Sequence, residues 1–450
     1  MSSPTNTSKG YILESVVINS ARFLDDGGIN ILGAVTDIEI FEDLDSTYIT
    51  AQIAVVDTFR LYDRLDFQGA EYVTITIKQS EEAGSIATTK RFVISKLVSS
   101  KKANETTDLI VLHLIEDTSF LSNLINVNRS YTGSPYDIIS MISLEYLNKS
   151  VQSYSETSTY QQKLKLIVPN MSPMDAMTWI KNRCTTDTGL PLYLFSSFIG
   201  EDLSFADLGK MLSATPINKK MPFVYGAARD YSEITDKIRF IPITAYNIED
   251  NEDMYRLISQ GLVGADYSFY DTMSANYKEH KFNTSTDAFS QIEVKENERT
   301  TFADDFKLND KLLQKYQSKH MSQITQSGAY DDGSNRYNSL DQDKDAAGHN
   351  KRIISRSLRY FLNKSPITIT INGRGFMSGD YNRTIGNIVR IVFLANRPNE
   401  QGDIKLDMKK SGDYLIYGSK HTLTPTKYDL HLRCVKITSY TDDTILRSIS

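Results

Sequence analysis

Four acidic residues, Glu39, Glu42, Asp43 and Asp45, crowd the end of one strand-like run. Paired carboxylates can cleave a glycosidic bond, but only when two acids face each other across a cleft at a defined separation. One short run at a strand end gives no second wall, so the four read as a charged rim: candidate residues of an interface or a lumen. Asp341, Asp343 and Asp345 open like a calcium loop, yet positions six and twelve are Ala346 and Arg352, where glycine and glutamate are needed. The histidines at 113, 280, 320, 349, 421 and 431 contain no pair at helical spacing. His113 and His431 recur in two similar strands, where a histidine is ordinarily a partly buried structural residue. Gly373-Arg374-Gly375 with Gly379 misses the dinucleotide pattern because Ser378 intervenes and no helix follows. Gly209-Lys210 is followed by Met211, so no phosphate loop forms, and neither H-E-x-x-H nor G-x-S-x-G occurs. The expectation is a protein without catalytic residues, metal or cofactor.

Composition narrows the classes further. At 450 residues, several domains are expected. A net charge of −6 argues against a basic nucleic-acid groove. Tyrosine (26) far outnumbers tryptophan (1), which suits half-buried pleated surfaces and protein contacts. Cys184 and Cys434 are too far apart in sequence for metal spacing or a disulfide framework, and point to a reducing compartment. Met1 to Gly10 is polar, and no apolar run reaches membrane-spanning length, so a soluble chain without a membrane segment or export signal is expected.

The elements that must position any site are mostly strands. From Tyr11 to about Ile115, apolar residues alternate with polar ones, as at Ile49, Ala51, Ile53 and Val55 and at Val73, Ile75 and Ile77. That period marks strands with one buried face, a sheet or small barrel of five or six. Ser134-Pro135-Tyr136-Asp137 and Ser172-Pro173-Met174-Asp175 are two copies of one helix start: N-cap serine, proline at the first position, acid against the dipole. Trp179 is expected to anchor the core beneath the second helix. A further helix is expected over Arg352–Phe361, with strands at Ile367–Ile371, Ile388–Phe393, Tyr414–Tyr417 and Tyr428–Ile437. Polar residues 326–350 read as a mobile loop.

One similarity is internal. Phe92-Val93-Ile94-Ser95 leads into Asp108-Leu109-Ile110-Val111, and Tyr414-Leu415-Ile416-Tyr417 leads into Asp429-Leu430-His431-Leu432. Gly69 precedes an alternating strand before the first hairpin, and Gly386 does so before the second. One β domain used twice accounts for this. The fold class expected is β-rich α+β: two related antiparallel, barrel-like tube domains with two inserted mixed α/β domains. The boundaries are 10–128 for the first tube domain, 129–215 for its insertion, 220–250 with 351–450 for the second tube domain, and 251–350 for the second insertion.

In this order along the chain, four segments resemble the central baseplate hub of contractile-tailed bacteriophages, of the T-even type. They are Ile31 to Asp57, Met171-Ser172-Pro173-Met174-Asp175-Ala176, Ile258-Ser259-Gln260-Gly261 with Tyr270-Asp271, and Gly412-Asp413-Tyr414-Leu415-Ile416 through Cys434-Val435-Lys436. The resemblance implies a homotrimer forming a pseudo-sixfold ring between the tail tube protein and the central spike protein. It also implies contacts with other baseplate proteins, passage of DNA without specific binding, and a place in the virion after assembly in the host cytoplasm. The match is weak over 283–325. A tail-associated cell-wall hydrolase and a receptor-binding β protein are the alternatives; the first needs opposed acids in a cleft, the second a fibrous repeat or an aromatic sugar platform.

Overall fold

In the computed structural model the described residues are 11–20, 28–57, 69–78, 87–102, 107–154, 163–226, 240–249, 254–292, 298–299, 307–326, 346–362, 366–373, 383–395, 406–424 and 426–439. Side-chain alternation builds the first β unit from β1 (Ile12–Asn19), β2 (Val35–Asp43), β3 (Thr50–Asp57), β4 (Tyr72–Lys78), β5 (Ala87–Lys102) and β6 (Asp108–Glu116). Ile38 and Ile40 of β2, Ala51, Ile53 and Val55 of β3, Val73, Ile75 and Ile77 of β4, and Leu112 and Leu114 of β6 share one buried core. Fully burying one such Val, Leu or Ile contributes about 1.5–3 kcal/mol.

An inserted mixed unit follows: β7 (Ser130–Gly133), α1 (Pro135–Leu147), β8 (Val151–Ser153), β9 (Leu164–Ile167), α2 (Pro173–Arg183), β10 (Leu192–Phe195) and β11 (Leu203–Asp207). Both serine caps form: Ser134 Oγ accepts from the Asp137 amide at 3.1 Å and Ser172 Oγ from the Asp175 amide at 3.2 Å. Ile138, Ile139 and Ile142 of α1 meet Ala176, Met177 and Ile180 of α2 in a core of their own. Trp179 packs at the margin of that core, half-buried, with the Arg183 guanidinium 5.2 Å from its ring.

The second β unit is split. β12 (Phe223–Tyr225) and β13 (Ile241–Ile248) precede a second insertion containing β14 (Gly264–Asp271), β15 (Asn276–Asn283), β16 (Lys319–Thr325) and α3 (Ala346–Leu362). β17 (Pro366–Asn372), β18 (Ile388–Phe393), β19 (Gly412–Leu423) and β20 (Tyr428–Lys436) complete it. The order β19-β18-β12-β13-β17-β20 closes into a six-stranded barrel, because β20 pairs back onto β19. The fold is thus the expected β-rich α+β class. The helix expected over Arg352–Phe361 starts earlier, at Ala346, inside the stretch read as a loop. Residues 327–345, which include Asp341, Asp343 and Asp345, lie outside the described residues, as do Arg374, Gly375, Ser378 and Gly379.

The two β units repeat strand by strand. In space the first runs β4-β5-β6-β3-β2 and the second β18-β19-β20-β17-β13, every neighbour antiparallel and both in the same chain order. The irregularities repeat too. β5 bulges between Ile94 and Lys96, and β19 between Ile416 and Gly418. β2 bulges between Val35 and Asp37, and β13 between Ile243 and Ala245. A bulge re-aims a strand at one position, so two at matching places are a sharper mark of duplication than the strands themselves. His113 and His431 do lie in equivalent strands, β6 and β20, but at different places: the counterpart of His113 is Arg433, since each lies opposite the residue just after the bulge, Lys96 or Gly418.

Candidate functional site at the joint between the two β units

The acidic run belongs to β2, and β2 is where the two β units meet. Its outer edge pairs antiparallel with the second half of β19, from Gly418 opposite Asp43 to Leu423 opposite Ile38, so one sheet runs through both units. β19 can do this because it is long: its first half pairs with β18 inside the barrel, and after the bulge at Tyr417 its second half turns to β2. Alternation then sorts the acids. Ile38, Ile40 and Glu42 face the core, while Glu39, Phe41 and Asp43 face outward.

Glu42 is a core carboxylate, its side chain wholly inaccessible. It accepts from Ser197 Oγ at 2.9 Å, from the Phe198 amide, from Ser419 Oγ, and from His421 Nε2 at 3.2 Å. His421 is held in turn by Tyr428 Oη at 2.8 Å from Nδ1. Burial pushes the Glu42 carboxyl upward, but electrostatic attraction to His421 and these hydrogen bonds outweigh it and leave its pKa below the ordinary value. One carboxylate thereby ties β2, β19 and the segment after β10, whose Phe198 enters the first unit's core.

Asp45 is the second tie. It pairs with Arg359 of α3 at 2.7 Å and Lys181 of α2 at 3.5 Å, and accepts from Tyr417 Oη. Burial raises its pKa, but Arg359 and Lys181 overcome that and lower it; burial in turn lowers Lys181 to about 8. A third tie lies beside them: Glu116, at the end of β6, bonds Lys149 at 2.5 Å and the Ile49 amide at 3.1 Å. Ser196 joins both, its Oγ 3.3 Å from Glu116 and 3.1 Å from Lys149.

Of the four acids singled out in the sequence, Glu42 alone is buried; Glu39 and Asp43 face outward, and Asp45, though tied to Arg359 and Lys181, keeps its side chain 41% exposed. Glu39 pairs with Lys420 at 2.6 Å, and Asp43, whose pKa burial raises, lines a cavity of about 490 Å³ with Phe41, Tyr48, Lys420, His431 and Arg433. Glu42 lies inside the chain, so it can face neither a lumen nor a partner. Glu116, Lys149, Lys181, Arg359 and His421 were not singled out as partners. For Glu42 the signal was available, since it falls in phase with Ile38 and Ile40. Arg359 and Lys181 reach Asp45 from positions more than a hundred residues away, which no local pattern could reveal. Arranged this way, the acids do structural chemistry: they lock two β units and two insertions together.

No protein-family model and no curated protein matches the sequence. Among solved structures, a tail protein from Neisseria meningitidis superposes with a TM-score of 0.51 at 13% identity, covering 97% of this chain and 98% of its own. The 43 kDa tail protein of prophage MuSo2 from Shewanella oneidensis also gives 0.51, at 10% identity, covering 94% and 98%. The fold is therefore that of these tail proteins along nearly its full length.

Proposed function

We propose that this chain is the structural hub of a contractile phage tail baseplate, three copies forming a pseudo-sixfold ring that joins the tail tube protein to the central spike protein. The observation that carries this reading is the repeat itself: two β units with matching strand order and bulges, fused edge to edge through β2 and β19. A ring needs a head-to-tail contact that closes after a fixed number of steps. A chain holding two equivalent units supplies two steps, so three chains make six positions for a sixfold tube while keeping threefold symmetry for a trimeric spike. The domains follow the boundaries 10–128, 129–215, 220–250 with 351–450, and 251–350, save that α3 (Ala346–Leu362), which crosses the last of them, goes with the second insertion; both insertions lie outside the ring facing other baseplate proteins. Glu39, Asp43 and Asp45, the acids with access to the surface, belong to the lumen or its rim. DNA passes without being held, because three copies at −6 carry −18 and release no counterions to bind it. The role is non-enzymatic and its place is the virion tail, after assembly in the host cytoplasm. The test is to image tails carrying a tag on this chain: density on the tail axis between tube and spike is expected, and density on the fibres or outer baseplate would overturn the reading.

A further inference from the structure

The internal joint has two unfilled counterparts. In the second unit, the half of β19 beyond its bulge takes β2 along its edge. In the first unit, the matching half of β5 takes no strand among the described residues, since its pairing with β4 stops at Val93. Lys96, Ser100, Lys101 and Lys102 are exposed there, and Val98 is 47% exposed. The counterpart of β2 is β13. β12 pairs only with Ile241 and Pro242 of it, leaving the edge from Ile243 to Ile248 without a strand among the described residues; Asn247 is exposed and Ile248 is 42% exposed. One strand edge lacks a receiver and the other lacks a guest. Such rows of unpaired N–H and C=O groups are templates for a further strand.

We infer that the two edges pair between copies: β5 of one chain takes β13 of the next, in the register of the internal joint. Matching the bulges fixes that register. Ser99, Ser100, Lys101 and Lys102 take the places of Lys420, His421, Thr422 and Leu423, because the extra irregularity between Leu97 and Ser99 adds one residue to β5. Tyr246, Asn247, Ile248 and Glu249 take those of Ile38, Glu39, Ile40 and Phe41. Ser100 then lies opposite Ile248, Lys101 opposite Asn247 and Lys102 opposite Tyr246. The charges complement one another: antiparallel pairing brings the exposed Lys96, in the place of Gly418, toward Glu249, in the place of Phe41, beyond which the sequence runs Asp250-Asn251-Glu252-Asp253. Lys96 falls diagonal to Glu249 on the same side as Lys420 is diagonal to Glu39 in the internal joint, where that pair closes to 2.6 Å. Glu249 now leans on Arg433 at 3.8 Å, a contact loose enough to share. Each chain thus offers one basic and one acidic edge, the head-to-tail arrangement that a closed ring requires.

The inference rests on the ring reading, and cysteine trapping of the full chain separates the two. Residues directly opposite in an antiparallel pair have Cα atoms about 4.5–5.5 Å apart, within disulfide reach, whereas a four-residue offset is far outside it. The variant Ser100→Cys with Ile248→Cys is expected to give, on oxidation, covalent species of two and three chains and none larger, while Ser100→Cys with Thr244→Cys gives none. Trapping captures even transient pairs, so it does not require a stable free ring. Absence of the adduct, with wild-type chain sedimenting as three copies, would overturn the strand pairing and leave the ring. A ladder extending beyond three chains would uphold the pairing and overturn the ring, and neither adduct nor association would overturn both. Lys96→Glu is expected to cut the adduct yield several-fold, and adding Glu249→Lys to restore part of it; an unchanged yield would remove charge from the pairing.

Discussion

Glu42 sits where a carboxylate is costly, and four hydrogen bonds keep it charged there. Taking one partner from a buried ionic cluster leaves the rest unpaired, at a cost of about 3–5 kcal/mol. Glu42→Ala should therefore lower stability by that amount and loosen the contact between the β units; denaturant unfolding checks it, and a loss within ~0.5 kcal/mol would refute the tie. The pH dependence has a definite sign. The pKa values of Glu42, Asp45 and Glu116 are lowered in the folded chain, so each contributes stability that is full above the unfolded value, near 4.3 for Glu and 3.9 for Asp. That contribution is lost as pH falls through the lowered folded values. The melting temperature should drop as pH falls below about 4, and Glu42→Gln should flatten the drop. A Glu42→Gln acid profile parallel to wild type would show that the carboxylate is not linked to folding. At this scale the sequence was only partly legible: alternation placed Glu42 among core residues, but its partners come from segments 155 and 379 positions away.

At the scale of elements, β20 gives the plainest test of strand phase. Leu430, Leu432 and Cys434 lie on one face and are wholly buried, so Leu432→Asp should cost about 3–5 kcal/mol by burying an unpaired charge. A variant with wild-type melting temperature would contradict the phase. The turn glycines differ in an informative way. Gly69 and Gly386 have φ of 74° and 76°, a left-handed backbone that alanine adopts at a cost of about 1 kcal/mol or more. A Cβ at Gly386 would also come within 3.0 Å of the Phe195 ring, whereas at Gly69 the nearest atom is a carbonyl oxygen at 3.6 Å. Gly386→Ala should therefore destabilise more than Gly69→Ala, and equal losses would show that only backbone conformation matters. Strands and capped helices were legible because their signals are local: period-two alternation, and serine, proline and acid at fixed offsets. The irregularity between Leu97 and Ser99 was not, because a bulge is defined by the partner strand, and so the sequence aligned Asp108 with Asp429 where the structure sets it against Tyr428.

For the whole molecule, the decisive feature is that one β unit occurs twice in the chain. The closing hairpins hinted at it in the sequence; strand order, bulges and the β2–β19 joint give it geometry. An assembled ring should bind duplex DNA weakly, since its net charge is negative, and tight, salt-sensitive binding in a filter or anisotropy assay would count against a channel that DNA slips through. The central claim is that three chains provide six equivalent positions. Its most direct test is the copy number of this chain in an assembled tail, counted by quantitative mass spectrometry and by symmetry in the tail image. Three copies with two superposable β units each is the expected result, and six copies, or one, would contradict it.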